Sequence, residues 1–204
     1  MITIEFNEDV RCFKAGEKLV FDANPLIFAG DQGSGKSTLL ELIAPFDSGN
    51  LRRQGVKVVT TFDKKYVPVT HDFEKGNVRG SAAFGMGGID DMTVEINMLH
   101  ASHGQAAMLA TRYLFDKLAK LNPGQIGLLA MDEPDSGLSI TSATILGTAL
   151  SRVAAKGHQI VASLHNFHAM QMATDNVYDV EQRAFVSPKN YSARMVAKAL
   201  ALLK

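Results

Sequence analysis

The chain has 204 residues, 46% of them hydrophobic and 21% charged, and its 21 basic and 21 acidic residues cancel to a formal net charge of zero. That length fits a single domain, residues 1–204, able to bury about 70% of its unfolded surface without a metal or disulfide staple. Neutrality argues against a strongly basic nucleic-acid binder, and the lone Cys12 excludes a disulfide framework and points to a reducing, cytoplasmic setting. With no basic-then-apolar leader and no 18-residue apolar run, neither a secreted nor a membrane-spanning protein is expected.

Ile2, Ile4 and Phe6 alternate with Thr3 and Glu5, the pattern of a half-buried strand. Further strands are expected over Val10 to Lys14 and, after a turn at Ala15-Gly16-Glu17, over Lys18 to Asp22. Pro25 to Ala29 is a short apolar run that enters a Gly-rich loop, and Lys36 to Ala44 carries leucines at helical spacing. Gly55 to Thr61 and Tyr66 to Thr70 read as strands, whereas the five glycines between Gly76 and Asp91 mark a mobile segment. A helix is expected from Gln105 to Leu121, stopped by Asn122-Pro123-Gly124. The pattern then predicts a buried strand at Ile126 to Met131, a helix from Thr141 to Lys156 and a strand at Gln159 to Leu164. A turn-rich stretch leads to a last helix from Ser192 to Leu203. This order predicts α/β architecture: a mostly parallel central sheet with an antiparallel N-terminal part.

Gly30-Asp31-Gln32-Gly33-Ser34-Gly35-Lys36-Ser37 fits G-x-x-x-x-G-K-[ST] between a predicted strand and a predicted helix. In that context the loop's N–H groups converge on phosphate oxygens, Lys36 reaches the β- and γ-phosphates, and the Ser37 hydroxyl binds Mg²⁺. The dipole of the helix beginning here adds to the attraction. Further along, the strand Leu128 to Met131 closes on Asp132-Glu133-Pro134. An acidic pair at a strand end can divide its labour. Asp132 would hold Mg²⁺, directly or through water, and Glu133 would orient or deprotonate an attacking water.

Taken with the whole run Gly30 to Thr38 (G-x-x-G-x-G-K-S-T), D-E-P at 132 to 134 and His165 at the end of a later strand, the chain resembles ABC-type ATPases. The resemblance implies ATP and Mg²⁺ as ligands, His165 as a γ-phosphate switch, and an ABC-ATPase-like head with a reduced helical subdomain. It also implies that Ala101-Ser102-His103-Gly104-Gln105 stands for the signature L-S-G-G-Q, with Ser102, Gly104 and Gln105 matching. In that family this surface meets the γ-phosphate of ATP bound to the other subunit, so an ATP-dependent homodimer is implied. S-H-G followed by a helix, with D-E-P-x-x-x-L-S, is similar to a narrower group. These are small soluble bacterial and phage ATPases related to SMC-type and overcoming-lysogenization-type heads.

The departures are specific. Ser139 stands where the family has its D-loop aspartate, and no Gln occupies the Q-loop place, for which His71 and Asp72 are weak substitutes. Phe13 is a candidate to stack on adenine, or else a core residue. The stretch from Lys36 to Ser102 is too short for coiled-coil arms, and a transporter role would require membrane-spanning partner chains. An effector on another chain is therefore expected. An ATP-gated DNA-binding accessory protein of repair, recombination or phage biology is the alternative, although Arg52-Arg53, Lys64-Lys65, Lys189, Arg194 and Lys198 form only thin basic clusters. A small-molecule kinase is a third reading, to be told apart by transfer of the γ-phosphate to an acceptor other than water. His71, His100, His158 and His168 are read as bystanders.

Overall fold

Short strands with alternating or fully apolar faces build two sheets around one helix. The computed structural model describes residues 1–44, 57–72 and 102–203. The chain runs β1 (Ile2–Phe6), β2 (Lys18–Phe21), β3 (Leu26–Ala29), α1 (Lys36–Ile43), β4 (Val58–Phe62) and β5 (Val67–Asp72). Then follow α2 (His103–Ala119), β6 (Gly127–Asp132), α3 (Ile140–Ala155) and β7 (Gln159–Ser163). The last elements are α4 (Phe167–Ala173), β8 (Val177–Asp179), β9 (Ala184–Val186) and α5 (Pro188–Ala201).

The smaller sheet is antiparallel in the order β2-β1-β4. The larger has the order β5-β6-β7-β3-β8-β9, parallel from β5 to β8, with β9 antiparallel at its edge. Pro68 lies in β5, the opposite edge strand, where a missing N–H is tolerated. The strands β3, β6 and β7 are buried along their whole length, which is why they read as continuous apolar runs rather than alternations. Their successive residues still divide between two cores. Leu26, Phe28, Leu128, Ala130 and Val161 pack with β1 and with Leu39, Leu40 and Ile43 of α1, which lies between the sheets. Ile27, Ala29, Leu129, Met131 and Ile160 pack under α2, α3 and α4 through Leu114, Leu146, Leu150 and Met170.

Three expectations are corrected here. The strand expected at Val10 to Lys14 reduces to one bridge between Val10 and Phe13. Arg11 adopts φ 53 between them, and the resulting turn sends both apolar side chains inward. The last helix starts at Pro188, not Ser192: Ser187 caps it by accepting the Asn190 N–H, and proline at the first helical position needs no donor. The stretch before it is more than turns, since it holds α4, β8 and β9. The glycine-rich segment 76–91, His100 and Arg52-Arg53 lie outside the described residues. Among the described residues, no helix is long and apolar enough to cross a membrane.

Candidate active site

The loop after β3 is shaped by its glycines. Gly33 (φ 78) and Gly35 (φ 104) adopt left-handed backbone. A Cβ on Gly35 would lie 2.6 Å from Cys12 Sγ and 2.9 Å from the Phe13 ring, and one on Gly30 would lie 2.5 Å from Ser34 Oγ. Only glycine fits these positions. The loop delivers the chain into α1, whose N-cap, Gly35, provides no side-chain cap, and whose first turn holds no acid. Among the described residues the N-terminus of α1 thus has no side-chain cap, an arrangement suited to an anion. Ser34 Oγ is buried here without a hydrogen-bond partner. Lys36 is 4% exposed and its ammonium donates to the carbonyls of Gly30 (3.0 Å) and Asp31 (3.1 Å). Burial lowers the Lys36 pKa, and the nearby charges of Glu133, Asp132 and Asp31 oppose that shift.

Those acids arrive from the end of β6. Asp132 is buried, and its Oδ1 accepts the Ser163 hydroxyl at 2.5 Å. The same hydroxyl oxygen accepts the Glu133 N–H at 2.9 Å, so one fully buried serine on β7 holds both halves of the acidic pair. Glu133 has φ 51, and its Oε1 lies 2.7 Å from Nε2 of His165. The His165 and Asn166 N–H groups donate to Asp135 Oδ2 at 2.8 and 2.5 Å. On the other side of β6, the backbone of Asp72 is registered opposite Asp132 and that of His71 opposite Met131. Ser37 and Asp132 offer one hydroxyl and one carboxylate oxygen. Such hard but sparse donors suit Mg²⁺ that also keeps waters and phosphate oxygens. Among the described residues, no group of three His, Cys, Asp or Glu could hold a metal on its own. The donor set therefore fits a metal that enters with a nucleotide.

The structure gathers Gly30 to Thr38, Asp132, Glu133 and His165 in one region, but it does not bring Ser102, Gly104 and Gln105 to them. Those three line a cleft of 860 Å³ together with Met108, Arg112 and Ser139, and no residue of Gly30 to Thr38 lines it. Ser102 forms a capping box at the start of α2: its Oγ accepts the Gln105 N–H and its own N–H donates to Gln105 Oε1 at 2.8 Å. Gly104 must be glycine, because a Cβ there would lie 2.7 Å from the Gly137 carbonyl oxygen. Ser139 caps α3 by accepting the Ser142 N–H, a task a serine performs as well as an aspartate.

Phe13 belongs to the core. It is fully buried, stacked on Phe6 at 4.7 Å and covered on its other side by the Arg183 guanidinium at 4.3 Å, so it is not open to adenine. Arg11 instead reaches the first turn of α1, donating to Thr38 Oγ1 at 2.8 Å. Asp31 is drawn toward α5 by Lys198 at 2.8 Å, and that ammonium holds its carboxyl below the usual range. Sequence reading missed Ser163, Asp135 and Arg11, since each acts on residues distant along the chain. One signal was available for Ser163: a hydroxyl inside an otherwise apolar buried strand demands a partner.

No family model and no curated protein matches the sequence. Solved structures do match. One is an ATP-binding cassette of an ABC transporter in its ADP conformation, at 16% identity and a TM-score of 0.56, covering 97% of this chain and 96% of that one. A nucleotide-free ATP-binding cassette from an ABC transporter aligns at 15% identity and a TM-score of 0.56, over 96% and 95%. The cbiO1 protein from Clostridium perfringens, part of the ABC transporter complex cbiONQ, aligns at 16% and 0.53, over 98% and 94%. The fold is thus that of ABC-type ATPases, as the sequence motifs implied. The likeness to SMC-type and phage heads rests on those motifs alone.

Proposed function

We propose that this chain binds ATP with Mg²⁺, hydrolyses it, and uses the bound triphosphate to join two copies into a homodimer. The observation that carries this reading is the meeting of Lys36, Asp132, Glu133 and His165 beside the uncapped N-terminus of α1. A triphosphate on the loop takes the first-turn N–H groups of α1, and the Lys36 ammonium exchanges carbonyl partners for phosphate oxygens. Ser37 and Asp132 are the residues that would hold Mg²⁺, which when bound neutralises charge on the phosphate oxygens. Glu133 then orients a water and accepts its proton, while the His165 imidazole holds the Glu133 carboxylate and faces the γ-phosphate.

Dimerisation follows from what a single copy lacks. Ser102, Gly104 and Gln105 line a cleft that takes no residue from Gly30 to Thr38, which supports their meeting the γ-phosphate of a second chain. The Ser102 hydroxyl accepts from Gln105 and keeps its own proton to donate. Bound triphosphate is the differential contact between monomer and dimer, and hydrolysis removes it. The output passes to an effector on another chain. A transporter role, as in the structural neighbours, would require that partner to carry the membrane spans. The DNA-binding alternative draws less support, because Arg194 and Lys198 are engaged by Asp179, Glu181 and Asp31.

Phosphate release under single-turnover conditions tests the chemistry. Glu133→Gln is expected to slow hydrolysis by about 10²- to 10⁴-fold while still binding nucleotide. Lys36→Ala is expected to lose binding itself. Wild-type turnover in Glu133→Gln would overturn the assignment, and transfer to an acceptor other than water would establish a kinase instead.

A further inference from the structure

Asp135 lies two residues beyond Glu133, and the geometry gives it a task that the acidic pair does not cover. Its carboxylate is 4% exposed, and one oxygen receives two backbone donors from the loop after β7: the N–H of His165 at 2.8 Å and that of Asn166 at 2.5 Å. The other oxygen, Oδ1, is buried with no hydrogen-bond partner. A carboxyl placed in such surroundings is costly unless its contacts matter. What they achieve is a second tie between the ends of β6 and β7, beside the Ser163 hydroxyl that links β7 to Asp132 and Glu133. Ser163 fixes where Glu133 leaves β6, and Asp135 fixes where His165 leaves β7. Between the two ties the Glu133 carboxylate and the His165 imidazole meet at 2.7 Å, although the two side chains are 31% and 43% exposed and would otherwise be free to rotate into solvent. Asn166 is also the N-cap of α4, accepting the His168 N–H, so the same carboxylate sets the direction in which α4 departs.

We propose that Asp135 is a positioning residue for hydrolysis, holding the backbone at His165 so that the imidazole stays against Glu133. The proposal rests on the ATPase reading above and adds to it a residue that touches neither nucleotide nor water. Displacing a catalytic group by about 1 Å costs up to about 100-fold in rate. Asp135→Ala is therefore expected to lower kcat by about 10- to 100-fold while KM for ATP changes by less than about threefold. Asp135→Asn keeps a carbonyl acceptor for the two N–H groups and is expected to stay within about threefold of wild type.

The decisive comparison repeats Asp135→Ala in a His165→Ala background. If Asp135 works through the His165 ring, it causes no further loss there; an equal loss in both backgrounds shows a merely structural role and overturns the proposal, as does an unchanged kcat. Long-range ¹H–¹⁵N spectra of the histidine rings supply a readout that needs no turnover. The His165 ring should show one fixed tautomer in wild type and Asp135→Asn, and averaged signals in Asp135→Ala. Should Asp135→Ala fail to fold, Asp135→Ser carries the same comparison. A wild-type protein that binds no nucleotide would refute the ATPase reading alone. The ring spectra would then still decide the positioning claim, and identical spectra in wild type and Asp135→Ala would overturn it.

Discussion

Glu133 adopts φ 51 directly before Pro134, although a residue preceding proline normally takes extended backbone. Holding it there costs about 1–3 kcal/mol and needs surroundings that dictate it. The Ser163 hydroxyl is the most direct of them, accepting the Glu133 N–H while donating to Asp132. Ser163→Ala removes the acceptor of a half-buried N–H and one donor to a buried carboxylate. We expect a stability loss of about 1–3 kcal/mol by denaturant melt, and hydrolysis slowed by about 10- to 100-fold as the acidic pair loses its support. A variant with unchanged rate and stability would remove Ser163 from the account. Asp135 makes a separate prediction about pH. Burial raises its pKa above the usual 3.8, outweighing the His165 and Asn166 N–H groups that favour the anion. Its favourable contribution is thus fully present below pH 3.8 and lost as the pH rises through the folded value. Wild type should lose stability relative to Asp135→Asn over that rise and stand lowest against it at neutral pH. Thermal melts of both proteins from pH 4 to 8 check this, and parallel curves would contradict it. At this scale, Lys36, Ser37, Asp132 and Glu133 were legible because each lies in a contiguous run whose chemistry needs neighbours along the chain. Ser163 and Asp135 were not, since their partners come from another strand or the loop that follows it.

At the scale of elements, the central strands were legible because burial on both faces leaves a continuous apolar run. The long helices were legible because α2 and α3 keep one apolar face through Ala110, Leu114, Leu118, Leu146 and Leu150. By contrast, β8 and β9 have three residues each, too few to display any period, and α4 has seven. The start of α2 is where element and function meet. Its capping box satisfies two backbone donors by itself, so helix stability alone would account for Ser102 and Gln105. Ser102→Asp separates the two roles. Aspartate caps as well as serine and favours the helix dipole, so thermal stability should be kept. A carboxylate in that cleft would repel the γ-phosphate of a second copy, so ATP-dependent association should be lost. Undiminished association of Ser102→Asp, followed by analytical ultracentrifugation, would detach this surface from the nucleotide.

For the whole molecule, one chain carries a glycine-rich loop, an acidic pair and a histidine in one place, and the signature-like residues line a different cleft. Gly104 packs on Gly137 in the loop that follows the acidic pair, yet the cleft lined by Ser102, Gly104 and Gln105 takes no residue from Gly30 to Thr38; the sequence could list these parts without showing where each stands. The zero net charge lets two copies approach without mutual repulsion. The central claim is that ATP bridges two copies and that Glu133-dependent hydrolysis releases them. Light scattering on Glu133→Gln with Mg²⁺ and ATP tests it most directly. The account predicts a particle of twice the 22.1 kDa chain mass that returns to 22.1 kDa when ADP replaces ATP. A 22.1 kDa particle at saturating ATP would contradict it.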